Sequence, residues 1–113
     1  MGKFCFELSP QGDPMIVSGV TRGLLDDCNS FAVGTHDVWL RISRRAGTYA
    51  FHASTDGTTW RFVRYFVLDG CDPALGLEAQ SSTGSNCTAV FDHVSLRHGR
   101  VVDIRDGSQR TPR

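Results

Sequence analysis

The sequence predicts an all-β fold, an antiparallel sandwich of short strands, from three observations. The segment HDVWLRISRR alternates apolar with mostly polar side chains, which is the period-two pattern of a half-buried strand. Turn residues follow at Arg45-Ala46-Gly47-Thr48 and at Asp56-Gly57, between runs rich in aromatic and β-branched residues. Roughly seven or eight strand patterns recur along the chain, and no segment shows a helical period.

The two central hairpins have a defined register if both turns are two-residue loops. The register then forms these cross-strand rows: Ile42, Phe51 and Phe62 on the core face, Ala53 beside Trp60, and Arg41, His52 and Arg61 on the other face. Gly47 is expected to supply the positive φ of the first turn, and Asp56 is expected to cap the second turn. A slip of one residue would exchange the two faces, so the row of cationic side chains depends on this register.

Further strands are predicted on both sides of the hairpins, at 3–9, 15–21, 28–33, 74–81 and 87–97. Residues 22–27 are expected to form a polar connection, and breaks are expected at 69–73 and 82–86. The core candidates in these strands are Phe4, Phe6, Leu8, Leu75, Leu77, Ala79, Ala89, Phe91 and Val94.

Length and composition limit the classes of protein to consider. A chain of 113 residues is long enough for one domain, which we assign to 1–98, followed by a polar, disordered tail over 99–113. The basic and acidic residues number 12 each, so no overall field would attract nucleic acid or an anionic membrane. Neither a membrane span nor a signal peptide is visible, so a soluble, cytoplasmic protein is expected.

The cysteine pattern predicts neither a metal site nor a cofactor. Cys5, Cys28, Cys71 and Cys87 are widely spaced, without a C-x-x-C pair or a zinc-like cysteine–histidine spacing. Free, buried thiols are favoured over two disulfides in the absence of an export signal. The oxygen-rich segment 26–30 lacks the glycine turn of a calcium loop and is interpreted as a capped turn.

Several segments together resemble a known family. The segments are KFCFELSPQG, DDCNS, VWLRISRRAGTYAFHASTDGTTWRFVRYF and LGLEAQSSTGSNCTAVFDHVSL, which cover about residues 3 to 97. They are similar to the second half of an uncharacterised concanavalin A-like family, the one that includes a fungal protein labelled as regulating enolase. The resemblance implies a jelly-roll sandwich with a concave face that holds carbohydrate in many relatives. It also implies that additional strands usually precede the equivalent of Lys3, so the sandwich would be incomplete and its edges would need cover.

Catalysis is not expected. A glycosidase needs two carboxylates at a fixed separation, and the related glucanases carry theirs as E-x-D-x-x-E or E-x-D-x-E on one strand. The chain has neither motif, and its two glutamates, Glu7 and Glu78, lie on different predicted strands. We interpret both as solvated or arginine-paired groups.

Carbohydrate binding is the leading functional hypothesis. Sugars bind to aromatic faces and to planar polar groups, and a concave sheet displays both. The candidate ligand-binding residues are Trp39, Arg41, His52, Arg61, Tyr65, Glu7, Glu78 and Gln80. The alternative is that Trp39 and Tyr65 only pack between sheets or under a missing strand.

A protein-interaction or regulatory domain is the second hypothesis. The family label suggests that such a domain would act on a metabolic enzyme. An incomplete sheet edge would be its docking surface, for a protein partner or for a second copy of the chain.

Overall fold

The structure, a computed structural model, describes residues 1–68, 74–80, 88–96, 101–103 and 105–109. Its regular elements are all strands: β1 (Gly2–Leu8), β2 (Pro14–Arg22), β3 (Leu24–Ala32), β4 (Trp39–Arg45), β5 (Thr48–Ser54), β6 (Arg61–Val67), β7 (Val101–Asp103) and β8 (Ser108–Gln109). Strands β1-β2-β3 form sheet A, β4-β5-β6 form sheet B, and β7 pairs with β8. All pairings are antiparallel. The predicted all-β, concanavalin A-like sandwich is confirmed.

The core lies between the inner faces of the two sheets. Sheet A contributes Ile16 and Val20, and sheet B contributes Phe51 and Ala53, all 2 % exposed or less. The Phe4 ring of β1 stacks on Phe51 with centroids 4.5 Å apart, which joins the sheets directly. Burial of each large apolar side chain stabilises the fold by roughly 1.5–3 kcal/mol. The apolar residues of these alternating strands therefore face the core between the two sheets.

A β-bulge in β6 changes the register of the second central hairpin. Ile42 pairs with Phe51 and Arg41 with His52, as predicted. On the other side of β5, however, Phe51 pairs with Arg64 and His52 with Phe62, which leaves Val63 as the extra residue. The predicted pairs Phe51–Phe62, Ala53–Trp60 and His52–Arg61 are therefore wrong. Ala53 pairs with Arg61 instead, so the bulge moves Arg61 to the inner face of the sheet.

The two hairpin loops also differ from the prediction. In the first, Ala46 has the positive φ, 54°, that was expected of Gly47. The second is a loop over 55–60 instead of a two-residue turn, because Asp56 organises a wider reversal. Its carboxylate Oδ1 accepts hydrogen bonds from the amides of Thr58 and Thr59, at 2.8 and 2.7 Å. The expected capping role of Asp56 is confirmed.

Sheet A matches the predicted strands at its first two members and departs at the third. The predicted polar connection over 22–27 is wrong from Leu24 onward, because β3 begins there. Residues 26–30 therefore lie within a strand and do not form a capped turn. The partner strand β2 pairs with β3 along its length, with one register shift between Ile16 and Val17, and this antiparallel pairing orders even the polar residues of β3.

The predicted strands at 74–81 and 87–97 are not formed in the described residues of those ranges, 74–80 and 88–96. Their apolar side chains are exposed, so the core assignments there are wrong; the exposed fractions include Leu75 69 %, Leu77 58 %, Phe91 49 % and Val94 69 %. A strand needs a neighbouring edge as well as an alternating pattern, and neither described segment pairs with one of the eight strands. The breaks predicted at 69–73 and 82–86 lie outside the described residues.

The described residues near the chain end are ordered, in contrast to the disordered tail expected over 99–113. Strands β7 and β8 form a short hairpin within 101–109. Its turn is closed by the amide of Gly107, which donates to the carbonyl of Asp103 at 2.8 Å. Gly107 is buried, so the hairpin packs on the body of the protein. The domain boundary at residue 98 stays a prediction.

Candidate functional site

The outer face of sheet B, which points away from sheet A, carries four of the eight predicted ligand-binding residues and, in addition, Phe62. Alternation along β4, β5 and β6 places these side chains there: Trp39, Arg41, His52, Phe62 and Tyr65. Three aromatic members remain accessible, with exposed fractions of 40 % for Trp39, 42 % for Phe62 and 57 % for Tyr65. Trp39 and Tyr65 therefore do not pack between the sheets.

The centre of this face is covered by the C-terminal hairpin. The Arg41 guanidinium Nη1 donates to the carbonyl of Gly107 at 2.7 Å. The same guanidinium lies over the Trp60 ring, with Cζ 3.8 Å from the ring centroid. A Cβ added to Gly107 would lie 3.1 Å from His52 Cδ2. His52 is fully buried, so a ligand would not touch it while the hairpin is in place.

Trp39 lies at one end of the face, and residues of two loops come close to it. A Cβ added to Gly57 would lie 2.9 Å from Cε2 of the indole, so only glycine allows the 55–60 loop to approach this closely. On the other loop, the His93 ring lies 5.4 Å from the indole, centroid to centroid, at an interplanar angle of 52°. His93 Nδ1 is 2.9 Å from Asp92 Oδ1. An aromatic ring, an imidazole and a carboxylate are thus brought together.

The loop beside Trp39 holds a carboxylate that is charged at neutral pH. The amides of Thr59 and Thr58, followed by the Ser54 hydroxyl, donate to Asp56 and lower its pKa from 3.8 to about 2. The Ser54 hydroxyl in turn accepts from the amide of Gly57 at 2.8 Å. These hydrogen bonds fix the loop against the indole.

Arg61 does not belong to this face. The bulge directs it to the inner side, where its guanidinium Cζ lies 3.6 Å from the centroid of Phe31 on sheet A. Arg64 also links the sheets, donating from Nη2 to Asp26 Oδ2 at 2.7 Å. Both arginines therefore serve packing between the sheets.

The predicted glutamates are not brought to the aromatic face. Glu7 is on the outer face of sheet A, since Phe4 and Phe6 of the same strand face the core. The pKa of the neighbouring Cys5 thiol is raised, mainly by burial. The charge of Lys3 lowers this pKa, and the charges of Glu7, Asp27 and Glu78 raise it further. Glu78 therefore lies near Cys5. Gln80 is exposed, and no contact joins it to the other candidates among the described residues.

The described residues contain no cluster of three or more histidine, cysteine, aspartate or glutamate side chains that would hold a metal ion. Cys5 is half-buried and Cys28 exposed, and both are free thiols. The predicted burial is therefore wrong for Cys28. Cys71 and Cys87 lie outside the described residues.

Sequence reasoning missed four residues of the outer face: Phe62, which was expected on the core face, and Trp60, Asp92 and His93. One signal for the last two was present, because the core candidates Phe91 and Val94 are three residues apart and break the period of two at Asp92-His93. In the structure, His93 has a positive φ of 52°, so the extended backbone of a strand is interrupted at the same place as the alternation.

The fold and this face define a concanavalin A-like β-sandwich domain. The sequence profile of the family described as "protein of unknown function (DUF1349)" matches residues 2–99. The chain belongs to this family. No curated protein and no solved structure matches the chain. That the chain corresponds to the second half of the usual domain stays a prediction.

In the part of the chain that the structure describes, no helix is long and apolar enough to cross a membrane.

Proposed function

We propose that this chain is a non-catalytic carbohydrate-binding module whose ligand lies on the outer face of sheet B. The observation that carries the proposal is the exposure of three aromatic rings, Trp39, Phe62 and Tyr65, on one face of sheet B. Sugar rings stack their C–H faces on such side chains. A group of exposed aromatic side chains on one sheet face is typical of a binding site.

The positions of the two glutamates support a binding role over hydrolysis. Glycoside hydrolysis uses two carboxyl groups on either side of one glycosidic bond. Glu7 and Glu78 lie near Cys5 on the far side of the sandwich from the aromatic rings. A sugar stacked on the aromatic face would therefore bind away from both glutamates. The free thiols of Cys5 and Cys28 support a cytoplasmic, reducing location for the module.

Binding to a glycan array, followed by isothermal titration with each hit, tests the proposal. Trp39→Ala and Tyr65→Ala should each weaken binding by about tenfold, since one stacked ring contributes on the order of 1 kcal/mol. Leu25→Ala is a matched control, because Leu25 is 64 % exposed on the other sheet. Absence of any glycan hit would refute the binding role, and release of shorter sugars from a bound glycan would refute the non-catalytic role.

A second candidate, a protein-interaction domain, is supported by the edge strand β4. Leu40 and Ile42 are on its inner side and are 41 % and 43 % exposed. The partner that fits this edge is a second copy, because identical strands can pair about a two-fold axis and cover each other's apolar side chains. Light scattering should then give twice the chain mass. Ile42→Lys should restore the monomer, whereas Leu24→Lys, at an 85 % exposed position on β3, should not.

A further inference from the structure

The loop residues Asp92 and His93 form a polar rim beside the Trp39 indole. All three side chains reach solvent: Trp39 is 40 % exposed, and the side chains of His93 and Asp92 are 68 % and 75 % exposed. A ligand can therefore reach the indole and the rim together. This distinguishes the rim from Arg41 and His52, which the C-terminal hairpin covers.

A side-chain hydrogen bond and the backbone conformation of His93 fix the geometry of the rim. Asp92 accepts only, so the His93 nitrogen at 2.9 Å, Nδ1, carries the shared hydrogen in this contact. In the neutral imidazole, that tautomer leaves Nε2 as an acceptor. The positive φ of His93, 52°, is a conformation that a non-glycine residue adopts at a cost. It turns the loop so that the imidazole meets the indole instead of pointing along a strand.

The 55–60 loop also approaches the indole closely. Gly57 approaches Cε2, Nε1 and Cζ2 of Trp39 so closely that a Cβ there would be 2.9 to 3.2 Å from them. The indole cannot turn toward that loop. Its accessible surface is therefore presented in one fixed orientation, which lowers the entropic cost of stacking a ligand on it.

We propose that Trp39, Asp92 and His93 form the specificity subsite of the module, and that it binds a neutral hexopyranose unit through two adjacent hydroxyl groups. The sugar ring stacks on the indole, one hydroxyl donates to Asp92 Oδ2, and the neighbouring hydroxyl donates to His93 Nε2. Asp92 repels a carboxylate at the same position, so uronic-acid units are rejected. This inference rests on the carbohydrate-binding function proposed above and adds the residues that read the sugar.

The test uses the whole chain and two probe sets. The first holds neutral glucose hexamers with β-1,4, β-1,3 or α-1,4 linkage, and the second holds galacturonic acid oligomers of similar length. Nuclear magnetic resonance titration of the Trp39 indole N–H reports on the subsite directly. The variants are Asp92→Asn, which removes the charge, and His93→Asn, which tolerates a positive φ. Asp13→Asn, at an exposed position in the β1–β2 turn, is the matched control.

We expect a neutral hexamer to shift the Trp39 indole signal and the galacturonic acid oligomer to leave it unchanged. Asp92→Asn should weaken binding by roughly 10- to 100-fold, the value of a hydrogen bond to a charged group, and His93→Asn by about tenfold. Asp92→Asn should also reduce the discrimination against galacturonic acid. Melting temperatures should match the wild type, because both side chains are exposed.

The two proposals fail in different ways. If a hexamer binds and Tyr65→Ala weakens it while Asp92→Asn and His93→Asn do not, the subsite is refuted and carbohydrate binding stands. If galacturonic acid binds more tightly than every neutral hexamer, the assignment of a neutral sugar is refuted. If no sugar of either set binds, carbohydrate binding and the subsite are refuted together.

Discussion

The Arg61 guanidinium lies over the Phe31 ring, with Cζ 3.6 Å from the ring centroid, and so joins β6 of sheet B to β3 of sheet A. The contact exists because the bulge at Val63 turns Arg61 inward. Without the bulge, Arg61 would lie beside His52 on the outer face. A single extra residue therefore decides whether this arginine contacts a ligand or the opposite sheet.

Arg61→Ala should lower the free energy of unfolding by about 0.5–1 kcal/mol, the usual worth of an exposed cation–π contact. Arg61→Lys should retain part of this stability, because an ammonium group also binds to a ring face. Urea denaturation measures both. Arg45→Ala, at the exposed end of β4, is the control and should change little. Loss of glycan binding in Arg61→Ala at unchanged stability would contradict its inward position.

The bulge is a feature that the alternation of apolar and polar residues does not predict. Alternation predicted β1, β2, β4, β5 and β6, because each has an apolar face that the sandwich buries. Alternation did not predict the pairing of β5 with β6, since the loop over 55–60 and the extra residue at Val63 together set it. The predicted common face of Trp39, Arg41, His52 and Tyr65 is confirmed, and the prediction that Arg61 shares it is wrong.

The predictions for 74–80 and 88–96 failed for a different reason. An alternating segment can become a strand only where another strand offers an edge, and the sequence does not say which edge is available. The covering of His52 by residues near Gly107 was equally invisible, because it joins positions more than 50 residues apart. Contacts between polar segments that are far apart in the chain produce no periodic pattern of apolar residues, so the sequence does not reveal them.

Ala46→Gly should raise the free energy of unfolding by about 1 kcal/mol. Ala46 has a φ of 54°, where a Cβ is crowded and glycine is not. Ala32→Gly, at an exposed position in β3, is the control and should lower stability, since the φ of a strand does not need glycine. Thermal denaturation of the two variants should therefore give shifts of opposite sign. Shifts of the same sign would contradict a left-handed Ala46.

The Asp56 turn should make stability depend on acid pH. Hydrogen bonds from Thr59, Thr58 and Ser54 lower the pKa of Asp56 from 3.8 to about 2 in the folded chain. The stabilising contribution is complete above about pH 4 and is lost as the pH falls through about 2, because the unfolded chain takes up the proton first. Asp56→Asn removes this dependence.

Urea midpoints measured between about pH 5 and 2 should therefore converge for the wild type and Asp56→Asn as the pH falls. Ser54→Ala should also reduce the dependence, because its hydroxyl donates to Asp56 at 2.9 Å. Thr55→Ala, an exposed position in the same loop, should follow the wild type. Parallel curves for the wild type and Asp56→Asn would show that the carboxylate is not held by these donors.

Ser18→Ala should stabilise the sandwich. Ser18 is 1 % exposed on the inner side of β2, and its hydroxyl has no hydrogen-bond partner within the described part of the chain. Removing a buried, unpaired hydroxyl should raise the free energy of unfolding by about 1 kcal/mol. Ser43→Ala, at a half-buried position on β4, is the control. A loss of stability in Ser18→Ala would mean that the hydroxyl is hydrogen-bonded after all.

Gly107→Ala should release the C-terminal hairpin from sheet B. The added Cβ would lie 3.0 Å from Trp60 Cβ and 3.1 Å from His52 Cδ2, and the residue has a φ of 70°. His52 is held within β5, so the hairpin must move, and the left-handed φ costs a further 1–2 kcal/mol or so. The bond from Arg41 to the Gly107 carbonyl would then open, and His52 would become accessible.

Hydrogen exchange measures this release directly, because the Gly107 amide donates to Asp103 in the closed hairpin. Exchange of that amide and trypsin cleavage after the exposed Arg105 should both become faster. Gly34→Ala is the control, since an added Cβ there meets no atom within 4 Å. If the aromatic face binds sugar beyond Trp39, release of the hairpin should also tighten binding to Phe62 and Tyr65. Unchanged exchange in Gly107→Ala would show that the hairpin does not pack on His52.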